Sequence, residues 1–565
     1  MATSLTTYTH DHPLLGPLTG RLTHSYSTEI VHFRSIPYAT VRARFKPSTP
    51  LTSIPRDFDH RPYRDFTTYG AACPQAACEI VADGSGSGMG GKFHTAYGGP
   101  LEDDVSIWFD DLRCTNLSLA VPKGLLSGGK KVPVLVYVHG GGMAEGVGHV
   151  DGLHAGVRLA GLGAKEGMET VVVNIGYRLN WFGFLTCDDV LQEAKEESRR
   201  GGGEVFNQGL HDQQKAFRWL KRFVAGFGGD PEDITAFGES AGSISLTYHL
   251  CGSEALFRRV ILMSSGIWGQ STFEEKEQHY NLLLQGAGIQ AETGEERLAA
   301  LTRMDGITLG KIGPAMGHVL PYCREDRARG AMFDRGEPLY ANQFDLKVDL
   351  NRFLASVRTV MGNRPLVDDV LVLYEELSES TPWALAWPEI ARFLGDVYIT
   401  EVMHTLAEEL SKAGKRVYQY TFALTNPWPG SDCSYVTGHH FAEILFIFLT
   451  LTERYPKGRD KFLQRQAEET ARRWIAFAHG KEPWTPYRSP EGMVAVCDDL
   501  VGWSTRTKQE DTRISEQQPW GTRRYKATEL IRKIWREMEE EEGAEAVEEA
   551  RKHWLTHLSE LLAPK

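Results

Sequence analysis

The sequence predicts an α/β fold, in which a mostly parallel, twisted central sheet carries helices on both faces. Two near-continuous runs of β-branched and apolar residues, Val132 to His139 and Thr170 to Asn174, are typical of strands buried on both sides. Ile234 to Phe237 and Val260 to Met263 have the same character. Because a helical segment separates the second run from the third, these strands are expected to pair in parallel through a helical connection.

Apolar spacing predicts the helices. The segment before the third strand has apolar residues at helical intervals, namely Ala216, Trp219, Leu220, Phe223, Val224 and Phe227. Gly228-Gly229 ends this helix. A further strand is predicted over Val417 to Phe422, and helices fill the final third of the chain. One of them has an apolar stripe formed by Ile531, Ile534, Trp535 and Met538. The acidic run Glu539 to Glu542 that follows is predicted to be a solvated surface, because like charges repel one another.

Length and composition fit one large domain. The chain has 565 residues, of which 41% are hydrophobic, and 62 Lys and Arg against 74 Asp and Glu give a formal net charge of −12. We expect a single domain over residues 1–565, with residues 523–565 as a C-terminal helical extension. The acidic balance argues against a nucleic-acid partner, because phosphates attract basic surfaces.

The sequence also indicates a cellular location. The N-terminal residues contain no basic region followed by a long apolar core, so we expect no signal peptide. The most apolar stretch, Phe441 to Leu451, is too short to span a bilayer. With only eight cysteines, the protein is expected in the reducing cytoplasm. Asn116-Leu117-Ser118 matches a glycosylation acceptor, which matters only after export.

A serine lies at a predicted strand-to-helix turn. The segment Gly238 to Gly242 (GESAG) has the pattern G-x-S-x-G, follows the apolar strand Ile234 to Phe237 and precedes a predicted helix over Ser243 to Leu250. Such a tight turn forces the serine into strained dihedral angles. It also holds the hydroxyl above the strand ends, where the N-terminus of the helix favours negative charge. Ser240 is therefore the predicted nucleophile.

A second glycine-rich loop directly follows the predicted strand Val132 to His139. In His139-Gly140-Gly141-Gly142 the backbone can turn its N–H groups toward a site without intervening side chains. Acyl transfer through a tetrahedral intermediate requires such donors at the developing oxyanion. The predicted oxyanion hole consists of the N–H groups of Gly141, Gly142 and Ala241.

An ordered series of further motifs accompanies these two loops. The series is Arg34 to Ala39 (RSIPYA), Cys73-Pro74-Gln75, Cys114 to Leu119, Tyr177 to Phe184 (YRLNWFGF), Asn207 to Gln213, Phe227 to Pro231 (FGGDP) and Met263 to Gly266. From about residue 15 to about residue 490 the chain resembles the type-B carboxylesterase family, which contains cholinesterases, liver-type carboxylesterases and fungal lipases. Within that family it is most similar to fungal intracellular members. The resemblance implies an α/β-hydrolase fold, with Ser240 as nucleophile and Gly141, Gly142 and Ala241 in the oxyanion hole.

The family's histidine motif selects one of nineteen histidines. In that motif an acidic residue follows the base by three positions, and aromatic residues follow it by six and eight. Glu443, Phe446 and Phe448 therefore select His440 as the base, rather than His439. His440 also follows the serine in the chain, as the order serine, acid, histidine demands. A metal role for the histidine pair is disfavoured, because no further Cys or His lies at zinc spacing.

The sequence leaves the acid of the triad open. Aligning His318 to Arg327 with the family's acid motif without a gap puts Asp326 at the acid, with Glu325 as its neighbour and rival. A gapped alignment through Gly330 to Phe333 puts Arg329 there instead, which means that the acid is lost. The interval from Ser240 to Asp326 is short beside that of relatives, which a deletion or a relocated acid would explain. We take Asp326 as the predicted acid. Loss of the orienting carboxylate lets the histidine adopt the wrong tautomer, at a cost of about 10⁴ in turnover.

These residues predict a serine hydrolase that cleaves carboxylic esters through an acyl-enzyme, with no metal or cofactor implied. Aromatic residues in the regions that line the pockets of the family favour a small-molecule substrate, either an apolar acyl or aryl ester or a lactone. They are Trp181, Phe182, Trp268, Trp383, Trp387 and Trp428. Two alternatives stay open, a non-catalytic cholinesterase-like binding protein and an acyltransferase or eliminating enzyme on the same scaffold.

The resemblance also bears on two cysteines. In secreted relatives the cysteines that correspond to Cys73 and Cys114 form a disulfide. Because we expect no export signal in this chain, we expect both residues to be free thiols.

Overall fold

The computed structural model divides the chain into two compact units. The described residues are 6–56, 62–75, 108–148, 154–198, 205–264, 271–312, 350–362, 364–374, 393–428, 440, 442–487, 492–517, 525–547, 549–551 and 553. The first unit consists of Met1–Ile261, Gln270–Ala328 and Ile444–Lys481, and the second of Leu262–Gly269, Arg329–Glu443 and Glu482–Lys565. The single domain over 1–565, with its C-terminal extension, stays a prediction.

Within these residues the strands form one large and two small sheets. The strands are β1 (Thr7–His12), β2 (Gly16–Ser25), β3 (Thr28–Pro37), β4 (Ala39–Thr40), β5 (Thr49–Pro50), β6 (Asn116–Pro122), β7 (Val132–Val138), β8 (Val171–Ile175), β9 (Gly229–Glu239), β10 (Arg259–Met263), β11 (Tyr420–Ala423), β12 (Met493–Asp498) and β13 (Gly502–Thr507). The large sheet has the order β1-β2-β3-β6-β8-β7-β9-β10. β11, β12 and β13 form a second sheet, and β4 pairs with β5.

Helices follow many of these strands. They are α1 (Gly156–Lys165), α2 (Asn180–Phe184), α3 (Asp188–Ser198), α4 (Gln208–Phe223), α5 (Ala241–Cys251), α6 (Phe273–Gly286), α7 (Gly294–Arg303), α8 (Gly306–Lys311), α9 (Leu350–Val360), α10 (Pro365–Leu371), α11 (Glu401–Lys412), α12 (Ala442–Ile447), α13 (Asp460–Ala478), α14 (Lys508–Ser515) and α15 (Tyr525–Glu542). Short 3₁₀ turns cover Lys123–Ser127, Val224–Phe227 and Thr452–Arg454, and a π turn at Asp396–Thr400 precedes α11.

β7 is the strand that positions the predicted site. It pairs in parallel with β8 on one side and with β9 on the other. Its last residue, Val138, is in register with Ile175 of β8 and Gly238 of β9. Parallel strands end at the same edge of a sheet, where α/β proteins place their ligand sites. The glycine loop after β7 and the serine turn after β9 therefore leave the sheet side by side.

The N-terminal half of the large sheet is antiparallel, so the sheet is mixed. β1, β2, β3 and β6 pair in this way, and β6 joins the parallel half through β8. The sequence predicts no strand before residue 132. β1 and β2 are not predicted because they are rich in threonine and histidine and only partly buried, so they form no continuous apolar run.

The other predicted elements are present with shifted ends. The strands predicted from β-branched runs are β7, β8, β9 and β10, and the predicted helix is α4 with the 3₁₀ turn that follows it. That turn ends at Gly228, whose φ of +84° suits a residue without a Cβ. In α15 the predicted apolar stripe is buried and all four residues of Glu539 to Glu542 are exposed, which confirms a solvated acidic face.

A buried ion pair fixes the segment after β8 to α4. The Arg178 guanidinium donates to both Asp212 carboxylate oxygens, at 2.7 and 2.9 Å, and both side chains are almost fully buried. Burial lowers the pKa of Arg178, but the charge of Asp212 and its hydrogen bonds outweigh burial and raise it. The Arg178 charge is therefore retained in the core, where removal of either partner of a buried ion pair is costly.

Asn116 opens β6 in the interior of the first unit. Its side chain has no solvent exposure, and its amide donates to the Ala71 carbonyl at 2.8 Å and to the Arg113 carbonyl at 3.1 Å. The formal glycosylation tripeptide is therefore part of the sheet in the folded protein.

The second unit has its own core. β12 pairs in parallel with β11 and antiparallel with β13. Arg506 of β13 is buried between two carboxylates, with distances of 2.6 Å to Asp498 and 2.9 Å to Asp511. Helices α9, α10 and α15 contribute to a separate apolar cluster that includes Phe353, Trp535 and Ile531.

Candidate active site

Ser240 lies at a strained turn between β9 and α5. Its φ of 53° and ψ of −122° are unusual for a residue with a Cβ, and such strain is concentrated at functional sites. The serine is partly exposed, whereas Glu239 before it and Ala241 after it are buried. A serine hydroxyl is thus presented at the N-terminus of a helix, as the sequence predicts.

The glycines on either side of Ser240 permit close packing of the turn. A Cβ on Gly238 would lie 2.7 Å from the carbonyl carbon of Gly242. A Cβ on Gly242 would overlap the Val138 carbonyl oxygen at the end of β7. Because backbone atoms occupy these places, neither position has room for a side chain. The G-x-S-x-G pattern therefore results from the contact between β9, α5 and β7.

The glycine loop after β7 lies against the serine turn. A Cβ built on Gly140 would lie 2.6 Å from the Glu239 carbonyl oxygen and 3.1 Å from the Cβ of Ser240. Gly141 and Gly142 have φ values of +107° and +62°, which favour glycine. The structure thus brings the predicted oxyanion loop to the predicted nucleophile.

The carbonyl groups of Gly140 and Gly141 accept hydrogen bonds from other residues of the same loop. The Gly140 carbonyl lies 2.8 Å from Nδ1 of His139, and the Gly141 carbonyl accepts from the amides of Ala144 at 3.1 Å and Glu145 at 3.0 Å. A carbonyl and the next residue's N–H point in opposite directions in a planar peptide. Among the described residues, the amides of Gly141 and Gly142 have no hydrogen-bond acceptor.

The amide of Ala241 is the third predicted donor. Ala241 is the first residue of α5, so its N–H has no acceptor within that helix. A developing negative charge next to Ser240 would also be stabilised by the positive end of the helix dipole.

His139 is a neutral support for the loop. Complete burial lowers its pKa to about 4, with only partial compensation by the hydrogen bond to the Gly140 carbonyl. Since a carbonyl only accepts, Nδ1 carries the ring proton and donates it. The ring stacks on Tyr177 at 4.4 Å, and the Tyr177 hydroxyl donates to the His139 carbonyl at 2.8 Å.

His440 belongs to the second unit, directly before α12, and is half-buried. Ser240 belongs to the first unit, and the pairing of the two residues stays a prediction. Glu443, three positions after His440, is buried and accepts a hydrogen bond from the Ser264 hydroxyl at 2.8 Å.

The buried Ser264–Glu443 pair was not predicted. Glu443 served only to select His440, and Ser264 was only one residue of the Met263 to Gly266 motif. The presence of both residues in motifs of the family was the available signal. Their hydrogen bond, across 179 positions, gives the Glu443 carboxylate a defined place beside the turn that carries His440.

The remaining candidates divide into buried and undescribed residues. Trp181, Phe182 and Trp428 are buried. The indole of Trp181 donates to the Ile312 carbonyl at 2.6 Å. The acid candidates Asp326, Glu325 and Arg329 lie outside the described residues, as do His439, Trp268, Trp383 and Trp387.

Within the described residues, no group of three or more His, Cys, Asp or Glu side chains has the arrangement of a metal site. No helix in that part of the chain has the length and apolar character needed to cross a membrane.

Solved structures have the same fold as this chain. A structure entitled PNB esterase superposes with a TM-score of 0.64 at 20% identity, covering 89% of this chain and 98% of that one. Juvenile hormone esterase from Manduca sexta superposes with a TM-score of 0.67 at 19% identity, covering 94% and 100%. These superpositions confirm the predicted α/β-hydrolase fold, so the protein has the architecture of that class.

Sequence comparison identifies the family. Residues 5–311 match the model of the carboxylesterase family, and the chain belongs to this family. It is 26% identical to Lipase 1 of Yarrowia lipolytica over 80% of this chain and 84% of that protein. It is 31% identical to para-nitrobenzyl esterase of Bacillus subtilis over 40% and 38%, and 36% identical to acetylcholinesterase of Leptinotarsa decemlineata over 28% and 24%. The last two matches span less than two fifths of those proteins.

Family membership confirms the predicted activity class. With lipases and esterases among its relatives, the protein is a carboxylic ester hydrolase of the serine hydrolase type, and small-molecule esters are its indicated substrates.

Proposed function

We propose that this protein hydrolyses apolar small-molecule esters, with Ser240 as nucleophile, His440 as base and the amides of Gly141, Gly142 and Ala241 as oxyanion hole. The observation that carries the proposal is the contact between the strained Ser240 turn and the glycine loop, at the common edge of β7 and β9. This contact places the Ser240 hydroxyl next to backbone N–H donors, and acyl transfer requires both a nucleophile and such donors.

The reaction proceeds in two halves. In the first, His440 takes the proton of the Ser240 hydroxyl as the oxygen attacks the ester carbonyl carbon, and the three amides stabilise the resulting oxyanion. The C–O bond of the ester then breaks, and the departing alcohol receives the proton from His440. In the second half, His440 takes a proton from water as the water oxygen attacks the acyl-enzyme. It returns that proton to the Ser240 oxygen as the acyl C–O bond breaks, which releases the acid and the free serine.

We propose Asp326 as the carboxylate that orients His440. The test is a matched pair, Asp326→Asn and Glu325→Gln, each of which removes one charge and retains the side-chain volume. For Asp326→Asn we expect a loss of about 10⁴ in kcat, the effect of losing the orienting acid in triad enzymes. The opposite ranking would assign the role to Glu325, and full activity in both variants would mean that the acid is relocated.

The preferred substrates are proposed to be apolar acyl or aryl esters, or lactones. The relatives named as a lipase and as a para-nitrobenzyl esterase support an uncharged acyl or aryl group. A series of p-nitrophenyl esters from acetate to octanoate, together with γ- and δ-lactones, would measure kcat/KM for each class.

The decisive experiment compares wild type with Ser240→Ala on p-nitrophenyl butyrate. We expect the variant to lose at least about 10³ of the turnover, because it lacks the nucleophile. Equal rates would refute catalysis by Ser240. Product analysis with an added alcohol acceptor distinguishes hydrolysis from acyl transfer, and absence of turnover in the wild type would favour the binding-protein alternative.

A cytoplasmic location is part of the proposal. It is supported by Cys73 and Cys114, which are buried free thiols. Burial and the neighbouring Cys73 raise the pKa of Cys114 well above its usual range, so its thiol stays protonated. In the test, cells that contain the protein are lysed in the presence of an alkylating reagent, and the labelled cysteines are identified by mass spectrometry. We expect both Cys73 and Cys114 to be alkylated, that is, reduced in the cell. A disulfide between them would contradict this location.

A further inference from the structure

Gln75 contacts the peptide that follows the predicted oxyanion glycines. Its side-chain oxygen accepts the Gly146 amide at 2.9 Å, and its side-chain nitrogen donates to the Gly146 carbonyl at 3.2 Å. The same nitrogen donates to the Cys73 carbonyl at 3.0 Å. Gln75 is completely buried, so these bonds are shielded from competing water. Its carboxamide thus binds both polar groups of Gly146, much as a neighbouring strand would.

The peptide held by Gln75 lies directly against the donor glycines. A Cβ on Gly141 would overlap the Glu145 carbonyl oxygen and lie 3.2 Å from the Gly146 nitrogen. A Cβ on Gly146 would overlap both the Gly140 carbonyl oxygen and Nδ1 of His139. Any shift of the Glu145–Gly146 peptide therefore displaces Gly141 and the hydrogen bond that fixes the Gly140 carbonyl.

Asn180 holds the same loop at a second point. Its backbone amide donates to the Met143 carbonyl at 2.7 Å, and its side chain donates to the carbonyls of Ala144 at 3.1 Å and Pro74 at 2.8 Å. Pro74 precedes Gln75, so Asn180 connects the segment that carries Gln75 to the loop that Gln75 binds. The loop is thereby fixed at both ends of its turn.

We propose that Gln75 is a positioning residue for the oxyanion hole, which holds the Glu145–Gly146 peptide in place and so sets the direction of the Gly141 and Gly142 amides. This inference rests on the proposed function, because the positioning acts on the donors assigned there. Gln75 touches no reacting atom in this role.

The expected effect follows from the geometry of catalysis. Oxyanion donors act only when they lie within hydrogen-bond distance of the transition-state oxygen, and a misplacement of about 1 Å costs about 10²-fold in rate. Substrate binding depends less on these donors than the transition state does. Loss of the Gln75 carboxamide should therefore lower kcat by about 10- to 100-fold and change KM by less than about threefold.

The test uses the full-length enzyme with Gln75→Leu and, as a second uncharged variant, Gln75→Met, which retains the length of the side chain but can neither accept from the Gly146 amide nor donate to the two carbonyls. Active-site titration with diethyl p-nitrophenyl phosphate counts the folded sites, so that kcat refers to competent enzyme alone. Two further measurements report directly on hydrogen bonding in the oxyanion hole. They are the inhibition constant of an alkyl trifluoromethyl ketone, which forms a tetrahedral adduct, and the infrared carbonyl stretch of the acyl-enzyme.

The matched control is Gln419→Leu, which removes another buried glutamine, one that bonds His404 in the second unit at 2.6 Å. We expect Gln75→Leu to raise the inhibition constant of the ketone in proportion to the fall in kcat/KM, and to move the carbonyl stretch of the acyl-enzyme to higher wavenumber. We expect Gln419→Leu to change neither quantity. If Gln75→Leu does not fold, Gln75→Met gives the same measurements.

Folded Gln75 variants with wild-type kcat, ketone affinity and carbonyl stretch would overturn the inference. That outcome differs from failure of the proposed function, which would show as Ser240-independent turnover in the wild-type and Ser240→Ala pair before any Gln75 variant is made.

Discussion

Gly140 sets the distance between the glycine loop and the nucleophile. The position that a side chain would occupy is taken by the backbone of Glu239, at 2.6 Å, and by the Glu239 carboxylate, at 2.8 Å. Backbone atoms of a strand cannot shift without moving Ser240 as well. The absence of a Cβ at this residue is therefore a requirement of the site, independent of any need for an unusual φ.

Replacement of Gly140 by alanine should accordingly impair catalysis more than folding. We expect Gly140→Ala to lower kcat by about 10²-fold, because the loop must move away from Ser240 by a fraction of the added methyl group. The free energy of unfolding should fall by about 1–3 kcal/mol. Steady-state kinetics and urea unfolding measure the two effects. Gly129→Ala is the control, since nothing lies within 4 Å of a Cβ there, and wild-type kcat in Gly140→Ala would contradict the close contact.

At the scale of the element, the N-terminal strand is fastened to helix α4 by a histidine. Nε2 of His12 lies 2.9 Å from the Phe223 carbonyl, and Nδ1 accepts from the amides of Leu14 and Leu15, each at 3.1 Å. Nε2 therefore carries the proton, and the neutral ring satisfies three backbone groups at once. β1 gains its place through this side chain as well as through pairing with β2.

The importance of this contact can be measured by substitution. We expect His12→Ala to reduce the free energy of unfolding by about 2–4 kcal/mol, because it leaves buried backbone groups without partners. The measurement is urea unfolding at pH 7.5. His24→Ala provides the comparison, since the His24 side chain on β2 is 69% exposed. A similar loss in both variants would show that the His12 contacts contribute nothing specific.

The elements also show which features sequence patterns can predict. β7 and β8 were predictable because strands buried on both faces form near-continuous apolar runs. α4 was predictable because its buried residues recur at helical spacing, as Trp219, Leu220 and Phe223 do. β1 and β2 were not predicted because their strand conformation depends on contacts with residues distant in the chain, such as that of His12 with the Phe223 carbonyl. No local pattern reveals such a contact.

Across the whole molecule, burial keeps several histidines neutral. Burial lowers the pKa of His139 to about 4 and that of His249 to about 3, and it lowers the pKa of His10, His12 and His479 as well. In each case the folded pKa is below the ordinary value of 6.5, so the unfolded chain binds protons more readily. The stability contributed by the neutral rings is complete above about pH 6.5 and is lost as the pH falls toward 4.

The fold should therefore weaken in mild acid. For His139 alone, the shift from 6.5 to about 4 corresponds to about 3 kcal/mol lost by pH 4. We expect a clearly lower urea midpoint at pH 5 than at pH 7.5, and a smaller difference in His249→Gln, which retains a donor for Gln213. Equal midpoints for the wild type at the two pH values would contradict the burial of these rings as neutral groups.

The candidate site was predictable where it is local. Ser240, Gly141, Gly142 and Ala241 lie in short motifs that directly follow predicted strands, so the sequence carries both the chemistry and its place. The contact of Gln75 with Gly146 and that of Ser264 with Glu443 were not predictable, because the two residues of each pair are 71 and 179 positions apart in the chain. Such pairs arise from tertiary packing. Gln75, Ser264 and Glu443 all lie in motifs of the family, but no local pattern shows which residues they contact.

The buried place of Asn116 has a practical consequence for making the protein. A secretory host transfers its oligosaccharide to the growing polypeptide, at a stage when the Asn116 amide has not yet met the Ala71 carbonyl. A sugar attached then would occupy the space where β6 must join the sheet, and the chain could not close around it. Recombinant enzyme is best produced in a compartment without that transferase, or with Ser118→Ala when export is wanted.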